Sequence, residues 1–314
     1  MTYFVAVTDS PAGGDLTIER SVLAGMRVER VSADDQAGLV GVVSDADAVL
    51  CMHTHIDRTV LQALRRCKVI VRFGTGLDNI DLRAAAEAGI PVVGIHDYCT
   101  VDVADHTMAL LLCWNRKVLD YHRFVETQRW NERTQTTGNW GCGPITRLSD
   151  QTLGLLGFGH IGRAVARRAR AFGMRVLAYS RNPDLTIAAQ LDVELVDRPT
   201  VLAAADYISL HLPLSDETRH FINGGTISLM KRGAVVINTA RGGLIEEGAL
   251  AEALRSGRLG GALLDVYQQA PLPIEHPFRS LPNVIFSAHV GFYSEQSLAD
   301  LRRLAAEAVA VHLP

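Results

Sequence analysis

The chain is short of cysteine, of basic excess and of long apolar runs, and each shortage narrows the reading. Five cysteines occur in 314 residues, Cys51, Cys67, Cys99, Cys113 and Cys142. Their number is odd and no two form C-x-x-C. That argues against a disulfide framework or a zinc knuckle and for a reducing, cytoplasmic setting. The formal net charge is −3, without the basic excess or stripe of a nucleic-acid binder. The longest apolar run, around 108–114, is far shorter than the ~20 residues that cross a bilayer, so no membrane partner is expected. The first residues, Met1-Thr2-Tyr3-Phe4-Val5-Ala6-Val7-Thr8, read as a strand and lack the basic region and apolar core of a signal peptide. Short-period repeats and low-complexity tracts are missing too.

What is present is strand–helix alternation. At roughly 150 residues per domain the length predicts two domains, and 48% apolar with 21% charged residues is enough for two cores. Short β-branched runs at 4–8, 28–31, 48–51, 69–71 and 91–93 predict strands, with helical patterns such as 58–66 and 82–88 between them. A second series of strands is predicted at 152–156, 176–179, 207–210, 234–238, 261–264 and 284–287. This spacing points to the α/β class, with two doubly wound parallel sheets rather than one oversized sheet. Between the series, 102–128 reads as one long helix, with Asp102 and Asp105 in its first turn, where the helix dipole favours carboxylates. It serves as a core helix, as a domain-linking or dimer helix, or as both. Residues 130–150 form a polar, Gly-rich connection of unusual length, and 294–312 a helix long enough to return to the first domain.

Gly157-Phe158-Gly159-His160-Ile161-Gly162 follows an apolar strand and opens a helical pattern. G-x-G-x-x-G in that order is a dinucleotide-binding signature. The first glycine makes the tight turn, the second admits a pyrophosphate to the backbone and the third lets helix and strand pack closely. At the end of the next strand the chain reads Tyr179-Ser180-Arg181-Asn182-Pro183, with no carboxylate until Asp184. A carboxylate there would take a ribose 2′-hydroxyl; Ser180 and the Arg181 fork suit a 2′-phosphate instead. NADP is therefore the preferred cofactor, with NAD possible if Arg181 is only a solvated charge.

Asn238-Thr239-Ala240-Arg241-Gly242-Gly243 and Ser287-Ala288-His289-Val290-Gly291 each follow a predicted strand. They lie at the carboxyl edge, where α/β proteins bind ligands. An arginine forks onto a carboxylate and a histidine exchanges a proton near neutral pH. With Val71-Arg72-Phe73-Gly74-Thr75-Gly76-Leu77-Asp78-Asn79-Ile80-Asp81, the glycine fingerprint and Leu264-Asp265-Val266, these segments make the chain resemble the D-isomer-specific 2-hydroxyacid dehydrogenases. That group includes phosphoglycerate, glycerate and formate dehydrogenases. His96-Asp97-Tyr98-Cys99 and Tyr293-Ser294-Glu295-Gln296 look most like the branch with the C-terminal-binding-protein corepressors and their bacterial relatives.

The resemblance implies a flavodoxin-like substrate domain (1–98 and 291–314) and a Rossmann nucleotide-binding domain (99–290). The implied reaction transfers hydride between a nicotinamide cofactor and a small 2-oxo or 2-hydroxy acid. Arg241 would hold the substrate carboxylate, His289 would exchange a proton with the carbonyl oxygen, and Asp265 would bind the nicotinamide carboxamide. The amides of Gly74, Thr75 and Gly76 would cradle the carboxylate, with His53 and Tyr98 as further substrate contacts. His160, Ile161, His211, Pro213, Thr218, Thr239, Ala240 and Gly291 complete the expected cofactor site. A homodimer through the long helix and the 130–150 connection is expected from the family.

The chain departs from the family at one catalytic position. The family pairs its histidine with a glutamate in a D-V-x-x-x-E-P run; here Asp265-Val266-Tyr267-Gln268-Gln269-Ala270-Pro271 puts Ala270 there. Without that carboxylate the histidine should be less protonated at neutral pH. Gln269 or Glu275 could substitute, the substrate could bring its own acid, or the protein could be a non-catalytic dinucleotide-binding regulator. Cys51, His53 and His55 alternate along a strand end. A metal site needs a fourth ligand that is not evident nearby, so no metal is expected. Arg163, Arg167 and Arg170 share a helical face and read as solvated charge, although Arg163 begins near the expected pyrophosphate.

Overall fold

The computed structural model describes residues 2–33, 35–127, 130 and 142–313. The chain forms two compact units, Met1–Cys99 with Tyr293–Pro314, and Thr100–Phe292.

The first unit holds a parallel sheet of five strands: β1 (Phe4–Val7), β2 (Arg27–Arg30), β3 (Ala48–Cys51), β4 (Val69–Arg72) and β5 (Val92–Gly94). Their order is β2-β1-β3-β4-β5. The β1, β3 and β4 runs are apolar because both faces are covered. Val5, Val7, Leu50, Val69 and Val71 pack against Leu16, Leu23 and the C-terminal helix, while Ala6, Val49 and Ile70 face Leu39, Val60 and Ala84. That C-terminal helix, Glu295–His312, begins where expected because Ser294 and Ser297 cap each other reciprocally. It supplies Leu301, Ala305, Ala306 and Val309 to the core. Its Arg302 forks onto the fully buried Glu19 carboxylate at 2.7 and 2.8 Å, a pairing that either partner needs once removed from water.

The second unit holds seven parallel strands: β6 (Thr152–Leu156), β7 (Arg175–Tyr179), β8 (Glu194–Leu195), β9 (Tyr207–Leu210), β10 (Val235–Asn238), β11 (Gly261–Leu264) and β12 (Val284–Phe286). The order β12-β11-β10-β9-β6-β7-β8 reverses between β9 and β6, and α/β sheets take ligands at the carboxyl ends beside such a reversal. Two parallel α/β sheets, as read from the sequence, are what the chain forms.

Two elements differ from expectation. The predicted 102–128 helix is two helices, Thr100–Asn115 and Val118–Glu126, separated at Lys117, whose φ is 56°. One left-handed residue ends the hydrogen-bond ladder although the apolar spacing continues past it. The Lys117 ammonium settles 4.3 Å above the Trp114 ring. The two-residue β8 edge strand is not among the predicted ones, since two residues carry no period. Of the 130–150 connection, residues 131–141 lie outside the described ones; Leu148–Asp150 forms a short 3-10 turn into β6. Among the described residues no helix is long and apolar enough to cross a membrane.

Candidate active site

The glycine fingerprint is built by packing at two of its three positions. Gly157 leaves β6 with φ 110°, and a Cβ there would overlap the His211 carbonyl at the end of β9. A Cβ on Gly162 would overlap the Gly157 carbonyl, so the His160–Ala171 helix sits directly on the turn. Gly159, the helix N-cap, has open space where a Cβ would go. That bare backbone, with His160 and Ile161 in the first helical turn, fits a pyrophosphate held by amide groups. His211 is neutral near pH 7: burial pushes it down to about 4, and its Nε2 lies 2.9 Å from Ser209 Oγ. Pro213 and Thr218 close the turn after it, with Thr218 donating to the Pro213 carbonyl at 2.7 Å.

At the end of β7, Ser180 Oγ donates to the Asn182 carbonyl (2.9 Å) and Arg181 meets Glu217 at 2.9 Å, both of that pair well exposed. Asp184 caps the Leu185–Gln190 helix and accepts from Arg163 at 3.2 Å. Arg163 also donates to the Phe158 carbonyl (3.0 Å). It therefore braces the fingerprint loop and is not the solvated charge expected from the sequence.

Arg241 follows β10. The buried Asn238 amide shapes its loop, donating to the Arg241 carbonyl (2.9 Å) and accepting the Ala240 N–H (3.0 Å). Thr239 Oγ1 lies 2.9 Å from Thr107 Oγ1. Arg241 itself is half-buried, its Nη1 donating to the Ala240 carbonyl at 2.8 Å.

Asp265 follows β11 and is 1% exposed. Its carboxylate accepts Ser287 Oγ (2.6 Å), the Val290 N–H (3.0 Å) and the Gly291 N–H (2.9 Å); its carbonyl accepts the His289 N–H (2.8 Å). Burial alone would raise its pKa. The hydrogen bonds from His106, Ser287, Gly291 and Val290 outweigh burial and hold the carboxyl well below the usual range. A Cβ on Gly291 would sit 2.9 Å from that carboxylate and 3.2 Å from the His106 ring, too close for a side chain. His289 is carried on this loop at φ 55°, exposed, its ring edge-on to Phe292 at 6.0 Å. Left-handed φ at a non-glycine is uncommon and persists where surrounding bonds fix it.

Ala270, Gln269 and Glu275 are exposed. The carboxylate that organises their loop is Glu247, which accepts the Gln268 N–H (2.9 Å) and lies 3.1 Å from His276 Nε2.

In the first unit, Gly74 has φ 124°, and a Cβ there would overlap the Arg72 guanidinium and lie 3.5 Å from the Tyr98 hydroxyl. Thr75 Oγ1 donates to the Ile95 carbonyl at 3.0 Å, and Gly76 follows in the same loop after β4. His53 is exposed and its N–H donates to Asp9 at 2.6 Å; Met52 and Thr54 bind the same carboxylate. Backbone amides and hydroxyls keep Asp9 charged despite its burial. Cys51, His53 and His55 do not share a face, because β3 ends at Cys51. Cys51 is in the core, its thiol pushed up to about 12 by burial, while both histidines are exposed. Among the described residues no three His, Cys, Asp or Glu side chains are grouped to hold a metal ion.

The sequence thus leads to the strand-end loops of β6, β7, β9, β10, β11 and β12, which parallel topology puts on one edge of the second sheet. It misses His106, Ser287, Asp9 and Glu247, the groups that hold those loops or their counterparts in the first unit. Their sequence signals are slight: Ser287 stands two residues before His289, and His106 lies beside Asp105 and Thr107 on one helix.

The family model for the NAD binding domain of the D-isomer specific 2-hydroxyacid dehydrogenases matches residues 108–291. The chain is 38% identical over 273 residues to a D-3-phosphoglycerate dehydrogenase of Methanocaldococcus jannaschii, covering 86% of this chain and 50% of that one. It is 35% identical to a glyoxylate reductase of Korarchaeum cryptofilum, covering 84% and 79%. The chain therefore spans about half the length of the phosphoglycerate dehydrogenases it matches. The structure of D-lactate dehydrogenase from Aquifex aeolicus, complexed with NAD and lactic acid, superposes with a TM-score of 0.87 at 27% identity, covering 98% of this chain and 95% of that one. On the family match and on the glyoxylate reductase likeness, the chain belongs to the D-isomer-specific 2-hydroxyacid dehydrogenase family.

Proposed function

We propose that the protein is a nicotinamide-dependent oxidoreductase that interconverts a small 2-oxo acid and its 2-hydroxy acid. The observation that carries this reading is the placement of Arg241 and His289 after β10 and β12, on the edge where the glycine fingerprint also opens. One strand, β11, lies between β10 and β12, so the two strands run about 10 Å apart at ~4.8 Å per strand spacing. In this reading Arg241 and His289 both meet one small anion at that edge.

The bound cofactor supplies or accepts the hydride; every other task falls to the chain. Gly157, Gly159, His160, Ile161 and Gly162 hold the pyrophosphate, and Ser180 and Arg181 the adenosine ribose. His211, Pro213, Thr218, Thr239, Ala240 and Gly291 line the remaining cofactor path. Arg241 forks onto the substrate carboxylate and polarises the carbonyl, and His289 gives the carbonyl oxygen a proton during reduction. In the Met1–Cys99 and Tyr293–Pro314 unit, Gly74, Thr75, Gly76, His53 and Tyr98 are the substrate contacts of this reading, and the Thr100–Phe292 unit is its dinucleotide-binding domain. Asp265 binds the nicotinamide carboxamide in this reading and also holds the His289 loop, its oxygens accepting Ser287 Oγ and the Val290 and Gly291 amides. The amphipathic Val118–Glu126 helix has no buried residue and exposes Val118, Leu119 and Val125, which supports a homodimer. A cytoplasmic setting belongs to the same reading.

The test is turnover of glyoxylate, pyruvate, hydroxypyruvate and phosphohydroxypyruvate with NADPH and with NADH, followed by loss of nicotinamide absorbance. Tight cofactor binding with no turnover on any acid would replace the enzyme with a dinucleotide-binding regulator. The same assay addresses the cofactor. NADPH is expected to bind about tenfold tighter than NADH, the worth of one charge-assisted hydrogen bond. Arg181→Ala should erase the difference, because the guanidinium's competing partner, Glu217, is exposed and holds it weakly. A wild-type preference for NADH ends the NADP reading.

The alanine at 270 makes a pH prediction. A carboxylate beside an imidazole raises its pKa, and reduction needs the protonated form, so activity falls as pH rises through that pKa. Ala270→Glu should therefore shift the alkaline limb of the kcat profile for reduction upward by about one unit. An unmoved limb means residue 270 does not face His289.

A further inference from the structure

We infer that three consecutive residues, Asp105, His106 and Thr107, form a bracket that sets the relative positions of the Arg241 loop, the His289 loop and the fingerprint helix. The inference rests on the oxidoreductase reading for its functional meaning, and on hydrogen-bond geometry for its existence.

Each residue of the bracket reaches a different element. Asp105 accepts from Arg168 Nε at 2.6 Å, on the helix that starts at Gly159. Thr107, fully buried, donates to the Val103 carbonyl at 2.7 Å. A hydroxyl has one proton, so in the 2.9 Å contact between Thr107 and Thr239 the donor is Thr239. That bond fixes the residue two before Arg241.

The third arm follows the same accounting. Ser287 Oγ donates its single proton to Asp265 Oδ1 at 2.6 Å. The 2.9 Å contact between Ser287 Oγ and His106 Nε2 must then run from the ring, which places a proton on Nε2. His106 Nε2 is also 3.5 Å from Asp265 Oδ1. Through Ser287 and Asp265 the helix therefore holds the amides of His289, Val290 and Gly291. These are positioning residues: they act through the loops and not on the substrate. Consecutive residues on an α-helix point about 100° apart, so one rigid helix addresses two loops and a second helix.

The bracket makes separable predictions. Thr107→Val should raise KM for a 2-oxo acid about tenfold with kcat nearly kept, because it loosens the carboxylate-binding loop. His106→Leu should lower kcat about tenfold with KM nearly kept, because it loosens the proton donor. Both figures follow from losing about one hydrogen bond. Thr107→Ser and His106→Gln, which keep a hydroxyl and an N–H at the same reach, should restore most of each loss. Ser287→Ala cuts the His106 arm from the strand side and should copy His106→Leu, which guards against a helix variant that fails to fold.

A second readout does not need turnover. Amide hydrogen exchange at Val290 and Gly291 should quicken about tenfold in His106→Leu and Ser287→Ala, and at Ala240 in Thr107→Val, with each arm leaving the other loop unchanged. Unchanged exchange at these amides overturns the bracket, as does equal loss in the conservative variants. If the wild type reduces no 2-oxo acid, the enzymatic reading fails, and exchange alone decides whether the bracket stands.

Discussion

His289→Ala should lower kcat for 2-oxo acid reduction about a thousandfold while cofactor affinity stays within about twofold of wild type. A positioned general acid contributes roughly 10²–10⁴ in rate, and alanine leaves no group to protonate the carbonyl oxygen. Cofactor affinity should hold because the imidazole is exposed and its loop is fixed through backbone: the His289 N–H binds the Asp265 carbonyl, and the next two amides bind the Asp265 carboxylate. Removing the ring leaves all three bonds in place. Single-turnover reduction and cofactor titration separate the two quantities. A variant that retains wild-type turnover would remove His289 from the chemistry and with it the central assignment of the site.

Gly242→Ala is the second large effect. A Cβ on Gly242 would overlap backbone atoms of Tyr267 and Gln268. Those are main-chain atoms between β11 and the 268–276 loop, itself tied down by Glu247. They have little freedom to yield, so the Arg241 loop must move. Overpacking of this kind destabilises by about 1–3 kcal/mol. A displacement of about 1 Å at Arg241 is expected to lower kcat/KM by about a hundredfold. Gly248→Ala, in the Glu247–Arg255 helix, is the control, since a Cβ there meets nothing within 4 Å and alanine is the better helix former by up to ~1 kcal/mol. Denaturant midpoints and steady-state kinetics on both variants decide the matter. Equal behaviour of the two would mean the close approach at Gly242 is of no consequence.

The strands are legible in the sequence because parallel strands covered on both faces must be apolar nearly throughout, as in Val235–Asn238, where all four residues are buried. The fingerprint is legible because its spacing encodes steric demands, two of which the Gly157 and Gly162 contacts display. What the sequence hides is of another kind. The break at Lys117 depends on one backbone angle that apolar spacing does not report. The groups that hold the loops meet only after folding: His106 and Ser287 are 181 residues apart, and Asp9 reaches Met52 across 43. Asp265 stands out by its motif, yet the motif does not say which way its oxygens face. In the structure they point into the loop that carries His289.

The first unit is interrupted in sequence by the whole of the second, and its core is finished only by Leu301, Ala305, Ala306 and Val309. During synthesis the strands of this sheet have one face covered only in part, by Leu16 and Leu23, until the whole of Thr100–Phe292 has been added. The dinucleotide-binding unit, contiguous from Thr100 to Phe292, is able to fold first. Until the Glu295–His312 helix is made, the uncovered part of that face exposes apolar surface of the kind chaperones bind.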